Sequence, residues 1–408
     1  MIYQVLDETE VLKEEVQKTV NIIVVGSGGG GCKAVDSMIK GGIKGVKFVA
    51  VNTDIDALRK NYAETKIQIG INTTGGRGAG GMPDRGEQAA IEDEEKIRET
   101  LKGAHMVFVV AGMGGGTGTG SAPVIARIAR SLGALTVGVV TKPFAFELNQ
   151  RKKQAEEGII KLKEEVDTLI VIPNEKILDV IERKTSFKDA FARANDVLSQ
   201  GVKGISDLIV EVGEINLDFA DAEAVMKDQG EALMSIGYGE GENRVAAAAS
   251  NALDNPLLEE ISIKGATNVL VYVSSGDDFS MHEFKETISL ITADVSPDAH
   301  VFAGMYINPE LKDSIKVVVI ATGFTGIQEE DRELVQEMAK PGDENFTSAE
   351  FKQILEKSKK SRNDFLSRRD NGYMEEELEI PSVLRYQYYN NSDDCVSNYA
   401  TAGKSADK

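Results

Sequence analysis

The chain is poor in cysteine and histidine, contains no long apolar run and carries no excess of positive charge. Its 2 cysteines, Cys32 and Cys395, stand far apart and define no disulfide framework, which fits a reducing cytoplasm. The 3 histidines, His105, His282 and His300, lack metal-ligand spacing and read as ordinary surface or strand-edge residues. No run of ~18 apolar residues occurs, so neither a membrane span nor direct membrane insertion is expected. Asp7, Glu8, Glu10, Glu14 and Glu15 make the N-terminus too acidic for a signal peptide. With 46 Lys and Arg against 66 Asp and Glu the formal net charge is −20, which argues against nucleic acid as a partner, because duplex binding rests on clustered basic residues. The 408 residues, 41% of them hydrophobic, suffice for two domains with separate cores plus tails.

What the chain has in abundance is glycine, 40 residues, much of it placed directly after apolar runs. Met106 to Val110 feeds Ala111-Gly112-Met113-Gly114-Gly115-Gly116-Thr117-Gly118-Thr119-Gly120-Ser121-Ala122-Pro123, which reads as a buried strand entering a glycine loop. Glycines admit φ > 0, so successive backbone N–H groups can turn toward one anion, and Thr117 and Thr119 add hydroxyl donors. Val124, Ile125, Ile128 and Leu132 then recur at helical spacing from Ser121 to Leu132, with Pro123 placed for a first helical turn. The loop therefore ends at a helix N-terminus, where the dipole and free N–H groups favour phosphate. The alternative is a turn that merely lets strand and helix pack closely.

A second strand, Asn21 to Val25, runs into Gly26-Ser27-Gly28-Gly29-Gly30-Gly31 and a helix from Cys32 to Lys40, with the Gly-x-Gly-x-x-Gly spacing of a dinucleotide site. The strand Val46 to Val51 ends in Asn52-Thr53-Asp54, where an acid could reach a ribose hydroxyl, so a nicotinamide-dependent oxidoreductase is a rival reading. That rival leaves one glycine loop unexplained, whereas two such loops on parallel strands can wrap a single triphosphate. An acidic chain binding a polyphosphate must also concentrate donors locally or recruit a cation, Mg²⁺ being the expected one. A third glycine-rich stretch, 74–83, precedes a helix from Asp84 to Leu101 and reads as a mobile surface loop or as a lid near the terminal phosphate.

After the strand Leu135 to Val140, a helix opens near Glu147; this residue could accept from sugar hydroxyls and Arg151 could meet a phosphate, though both also read as solvated helix charges. A strand at Thr168 to Ile172 and a short helix at Lys176 to Ile181 lead to a long core helix, Ser186 to Val210, carrying Asn195, whose amide offers donor and acceptor to a purine edge. In the loop that follows, Asp218 and Asp221 can share a face if a helix begins there, capping it and, in the functional reading, also orienting a water for in-line attack on a γ-phosphate. Strands near 269–273, 301–307 and 315–320, with helices near 242–253 and 280–291, suggest an α+β layer. Residues 327–377 read as a charged linker with a capping box at Thr347 to Glu350, and 378–385 form an apolar island.

The heptad Gly114 to Gly120 lacks the Gly-Lys-Ser/Thr ending of a Walker loop. With its flanks Ala-Gly-Met and Ser-Ala-Pro-Val it resembles the signature loop of the tubulin and FtsZ superfamily, most closely the FtsZ family of bacterial division GTPases. The resemblance covers 21–326 and the peptide 378–385. It implies an α/β fold with an N-terminal arm (1–20), a Rossmann-like parallel-sheet nucleotide-binding domain (21–185), a central core helix (186–213), a second α+β domain with a catalytic loop (214–326), a linker (327–377), a partner-binding peptide (378–385) and a flexible tail (386–408). It implies GTP or GDP with Mg²⁺, held by Gly29, Gly30, Gly31, Cys32 and Lys33, by Gly115, Gly116, Thr117, Gly118, Thr119 and Gly120, and by Glu147, Arg151 and Asn195; metal ligands stay unassigned. Asn216, Asp218 and Asp221 carry over as catalytic-loop residues that complete the site of the next subunit in a head-to-tail filament. A cytoplasmic location at the division site, on the inner face of the membrane, and capture of 378–385 by membrane-tethering adaptors are implied as well. Lys33 departs from the family pattern, which usually has a polar residue and Asn here; it either bonds phosphate or points to solvent. Cys32, at a helix N-terminus, is placed where a thiol pKa can fall and oxidation follow, the less favoured reading.

Overall fold

Short runs rich in valine and isoleucine become strands, as β-branched side chains favour: β1 (Ile22–Ser27), β2 (Val46–Asn52), β3 (Thr65–Gln68), β4 (Met106–Gly112), β5 (Leu135–Lys142) and β6 (Thr168–Pro173). The structure is a computed structural model that describes residues 20–324 apart from 182–183, 211–212, 216–217, 254–262, 264, 294, 297 and 310. The chain divides into two compact units, 1–332 and 333–408, and every described residue belongs to the first. The expected linker, its capping box, the peptide 378–385 and the tail lie outside the described residues, as does the arm up to residue 19.

The six strands pair in parallel in the order β3-β2-β1-β4-β5-β6. Parallel neighbours require crossovers, supplied by α1 (Gly28–Lys40), α2 (Ile55–Lys60), α3 (Ile71–Thr74), α4 (Pro83–Glu92), α5 (Glu94–Leu101), α6 (Thr117–Ser131) and α7 (Leu148–Glu165). Helices α8 (Asn174–Val180), α9 (Phe187–Val210) and α10 (Phe219–Met226) lead to β7 (Gly230–Glu240), α11 (Arg244–Leu253), β8 (Asn268–Ser275), α12 (Met281–Thr292), β9 (His300–Ile307) and β10 (Ser314–Thr322). β7 joins β6 in parallel and β10 in antiparallel, so one ten-stranded sheet continues as β7-β10-β8-β9.

Met106 to Ala111 of β4 are all buried because both faces are covered, the situation in which a strand reads as a continuous apolar run. Val107 and Val109 pack with α4 to α7, while Phe108 and Val110 pack with α1, α9 and α10. The same cluster reaches Leu270, Tyr272, Val318 and Ile320, so α9 spans both halves of the sheet. A separate core joins α11 and α12 to β8 and β10.

Two expectations on secondary structure need correction. The helix expected from Asp84 to Leu101 is two helices, parted at Asp93, which leaves helical geometry (φ −113°, ψ 26°) where its buried carboxylate accepts from Gly70 N–H at 2.7 Å. Strand β7 is absent from the sequence reading because its glycines suggest turns. In the structure they admit a helix: a Cβ on Gly237 would lie 1.9 Å from Ala248 O, and one on Gly239 2.0 Å from Arg244 O.

Arg244, only 6% exposed, ties α11 to α12: its guanidinium donates to Glu283 at 2.7 Å and to Asp278, while Glu283 closes a capping box with Ser280. The Arg244 guanidinium, opposed by burial and helped by Ser280, holds Glu283 at about 2. Such a carboxylate contributes stability that is present above its unfolded value of ~4.3 and is lost as the pH falls toward about 2. We expect Arg244→Ala to lower unfolding free energy by about 2–3 kcal/mol, less than the ~3–5 kcal/mol of a fully broken buried pair because the carboxylates still meet solvent. Denaturant titrations at a series of pH values should show the parent losing more stability than the variant between pH ~4.5 and ~2.

Candidate functional site

Both glycine runs are helix beginnings rather than loops preceding helices. α1 starts at Gly28, not Cys32, and α6 at Thr117, not Ser121. Pro123 consequently sits in the second turn of α6, and every residue from Gly118 to Ala126 is buried. The register Ser27↔Ala111 sets the C-terminal ends of β1 and β4 side by side, so two helix N-termini emerge together. Each first turn leaves N–H groups without intrahelical partners and carries the positive end of a dipole.

The individual glycines divide by what surrounds them. Gly28 has φ +69°, and a Cβ there would lie 2.5 Å from Gly118 N; Cβ atoms on Gly30 and Gly31 would lie 3.0 Å from Gly112 Cα and 2.2 Å from Val110 O. These residues let the two runs touch. Gly116 and Gly120 serve the third glycine stretch and the helix after it, since their Cβ atoms would lie 2.8 Å from Met82 N and 1.9 Å from Pro83 O. At Gly29 and Gly115 a Cβ would meet nothing within 4 Å, which marks the open mouth of the cradle. Thr119, expected as a donor to the anion, is 2% exposed and its hydroxyl accepts from Gly114 N–H at 2.9 Å, closing the loop on itself. Thr117 is partly exposed, with its hydroxyl 2.7 Å from that of Thr53.

Cys32 is 4% exposed, its thiol directed at Gly26 O and Val51 O. Burial, with the Asp36 charge adding to it, pushes this thiol up to about 12, which corrects the reading of a lowered pKa. Lys33, the next residue, is exposed. Asp54, the acid behind the oxidoreductase reading, is the N-cap of α2, its carboxylate accepting from Asp56 N–H at 2.9 Å and Ala57 N–H at 3.2 Å.

Glu147 and Arg151 form an i,i+4 ion pair, and Glu147 also accepts from Phe144 N–H at 3.1 Å. They stand beside the signature loop, because a Cβ on Gly114 would lie 2.7 Å from Arg151 O. Between them Leu148 holds φ +74° and ψ 164°, a conformation that costs a side-chain-bearing residue about 1–3 kcal/mol. Asn195 is partly buried on α9, next to Asp196, which accepts from Ser37 of α1 at 3.3 Å. The sequence reading missed a shelf of rings here: Phe146, 52% exposed, stacks on Phe144 at 5.0 Å, and Phe187, 68% exposed, meets Phe191 at 5.0 Å. Phe191 lies one turn before Asn195, a spacing that was visible but reads equally as core.

The third stretch is anchored at both ends. Glu92 accepts from the backbone and side chains of Asn72 and Thr73, which holds its carboxyl below the usual range. Arg85 donates to Thr73 O at 2.9 Å and Gln154 to Gly81 O at 3.2 Å.

Asp218 and Asp221 lie elsewhere. They form the capping box of α10: Asp221 N–H donates to Asp218 Oδ1 at 2.8 Å, and Asp218 N–H to Asp221 Oδ2 at 3.1 Å. Phe219 meets His105, just before β4, at 6.4 Å, and Met226 O accepts from Thr168 at the start of β6. The acids are thus at the N-terminal ends of the strands, while Gly29 and Gly115 are at the C-terminal ends. β4 alone, Met106–Gly112, separates the two by about 20 Å. Asn216 lies outside the described residues. Among the described residues no group of three or more His, Cys, Asp or Glu is arranged to hold a metal.

Two helix N-termini meeting at adjacent parallel strands, with open glycines at their mouth, define an α/β protein that binds a nucleotide through its phosphates. Residues 21–182 match the Tubulin/FtsZ family, GTPase domain, and residues 230–325 the FtsZ family, C-terminal domain. An FtsZ dimer from M. jannaschii is similar at 41% identity and TM-score 0.73, over 80% of this chain and 94% of that one. A point mutant of M. jannaschii FtsZ gives 42% and 0.73, over 79% and 96%. CetZ2 from Haloferax volcanii, solved as a GTPγS-bound protofilament, shares the fold at 19% identity and TM-score 0.65, over 78% and 99%. The chain belongs to the FtsZ family, and it is a GTPase that binds guanine nucleotide.

The two classes of glycine predict two kinds of variant. Gly120→Ala should cost at least ~2 kcal/mol through overpacking against backbone. Gly115→Ala should stay within ~0.5 kcal/mol of the parent, its methyl group standing in open space, and should bind nucleotide more weakly if phosphate enters at this mouth. Thermal unfolding and titration with a fluorescent GTP analogue separate the two.

Proposed function

We propose that the protein polymerises head to tail into filaments of the cell-division ring, and that the acidic loop of one subunit completes hydrolysis on the GTP of the next. The observation that carries this reading is the ~20 Å of strand between the glycine cradle and the Asp218–Asp221 pair. No rotamer spans that distance within one chain, whereas stacking copies along the strand direction apposes the two ends. A heterologous contact of this kind does not close and so extends as a filament. The similar FtsZ solved as a dimer supports self-association.

In this reading the first turns of α1 and α6, with the backbone at Gly29 to Lys33 and Gly115 to Gly120, bind the phosphates. Arg151 adds charge, Glu147 accepts from ribose hydroxyls, and Asn195 reads the base edge beside the phenylalanine shelf. Asp218 and Asp221 each keep one oxygen on the other's backbone, leaving the second to accept from a water aligned for in-line attack; Asn216 belongs to the same loop. Mg²⁺ is usually held by phosphate oxygens, water and one or two carboxylates rather than by a protein cage, and when bound with the nucleotide it would supply charge neutralisation.

We also take the chain as divided near 185 and 214, which the matched segments 21–182 and 230–325 support. Residues 378–385 are then the segment that membrane-tethering adaptors capture at the division site, on the cytoplasmic side; no helix among the described residues is long and apolar enough to cross a membrane.

Light scattering and phosphate release, followed together with GTP and Mg²⁺, test the reading through Asp221→Ala. The variant should assemble like the parent and release phosphate at least ~10-fold more slowly, because the cradle is intact while the water loses its acceptor. Release at the parental rate would remove the catalytic assignment.

A further inference from the structure

The acidic loop is fixed upstream by a contact with the edge of the sheet. Ile215 N–H donates to Met305 O at 3.3 Å, and Met305 N–H donates to Ile215 O at 3.0 Å, an antiparallel bridge. β9 is the last strand of the sheet and pairs inward with β8, so Met305 presents both backbone groups outward to the loop. Gly213 lies over the same carbonyl: a Cβ built on it would stand 2.1 Å from Met305 O and 3.1 Å from Met305 C. The requirement is for close approach, since Gly213 is not among the residues with positive φ.

Downstream the loop is fixed as well. Phe219 packs against the main core, and the Thr322 hydroxyl of β10 donates to Val225 O at 2.7 Å. Asp218 is three positions beyond Ile215, at most ~10 Å of chain. Ile215 and Asp218, the described residues on either side of 216–217, are thus each held to the sheet or to the helix packed on it.

We propose that Gly213, Ile215 and Met305 are positioning residues for GTP hydrolysis: the bridge to the edge strand sets where the Asp218–Asp221 pair is presented to the neighbouring copy of the chain. The proposal rests on the acidic-loop reading above. Neither the bridge nor Gly213 touches the cradle, so its loss should leave nucleotide binding in place and lower turnover.

Three variants of the full chain test this: Gly213→Ala, which forces the loop off the strand, Met305→Pro, which removes the outward donor on an edge strand together with a buried side chain, and Asp221→Ala as the reference. Affinity is read with a fluorescent GTP analogue, folding by thermal unfolding, and kcat and KM by phosphate release from assembled protein. Gly213→Ala and Met305→Pro should keep affinity and KM within about twofold of the parent while kcat falls at least ~10-fold, since a misplacement of about 1 Å can cost ~100-fold. Mixing either with Gly115→Asp, which keeps a sound acidic loop but spoils the cradle, should restore part of the rate at junctions where a sound loop faces a sound cradle. Should Gly213→Ala fail to fold, Met305→Pro decides. A parental kcat in either folded variant, with Asp221→Ala slow, overturns the positioning role and leaves the acidic-loop reading standing. A parental kcat in Asp221→Ala overturns both. Joint loss of affinity and kcat without recovery on mixing also overturns the positioning role.

Discussion

The structure depends on how closely two strand-to-helix junctions can approach. β1 and β4 are parallel neighbours, and the helices leaving them share one region only because Gly28 and Gly30 carry no side chain where Gly118 and Gly112 pass. Any Cβ there would part the helix N-termini and divide the positive end they form together. On the reading proposed here the anion site follows from backbone contact, so a chain of net charge −20 can hold a polyphosphate on main-chain N–H groups.

The second constraint is length. Seven residues of β4 hold the glycine end and the acidic end of the sheet apart, and the buried valines along it, covered on both faces, make that distance rigid. α9 runs across both halves of the sheet through Leu198, Val202 and Ile205, so the half carrying the cradle and the half carrying β9 and β10 share one core. On the reading proposed here, a GTPase whose reacting groups sit at opposite ends of one rigid body is active only as a polymer. Capping also serves chemistry in this account: Asp218 and Asp221 terminate α10 and, by the same hydrogen bonds, are oriented outward.

Much of this was legible in the sequence. Apolar runs gave the strands, the two glycine runs marked two strand-to-helix junctions, and α9 was placed to within a residue. What was not legible depended on neighbours distant in sequence. Gly115 and Gly120 look alike in the chain, but one faces open space and the other faces Pro83 O. Thr119 reads as a donor to the anion until the structure shows it buried, its hydroxyl accepting from Gly114 N–H. β7 was hidden because Gly237 and Gly239 signal turns locally and make room for α11 in three dimensions. Cys32 stands where a helix terminus can lower a thiol pKa, a reading already disfavoured from the sequence, and burial decides against it. The placement of the acid pair at the far end of the sheet is a property of topology, set by β7 running parallel to β6, and no local pattern encodes it.

The claim that the two halves of the catalytic site belong to different molecules is tested most directly by phosphate release per molecule as the protein is diluted. The account predicts that turnover falls steeply with dilution and vanishes once scattering shows no assembly. A rate per molecule that stays constant well below assembly would contradict it.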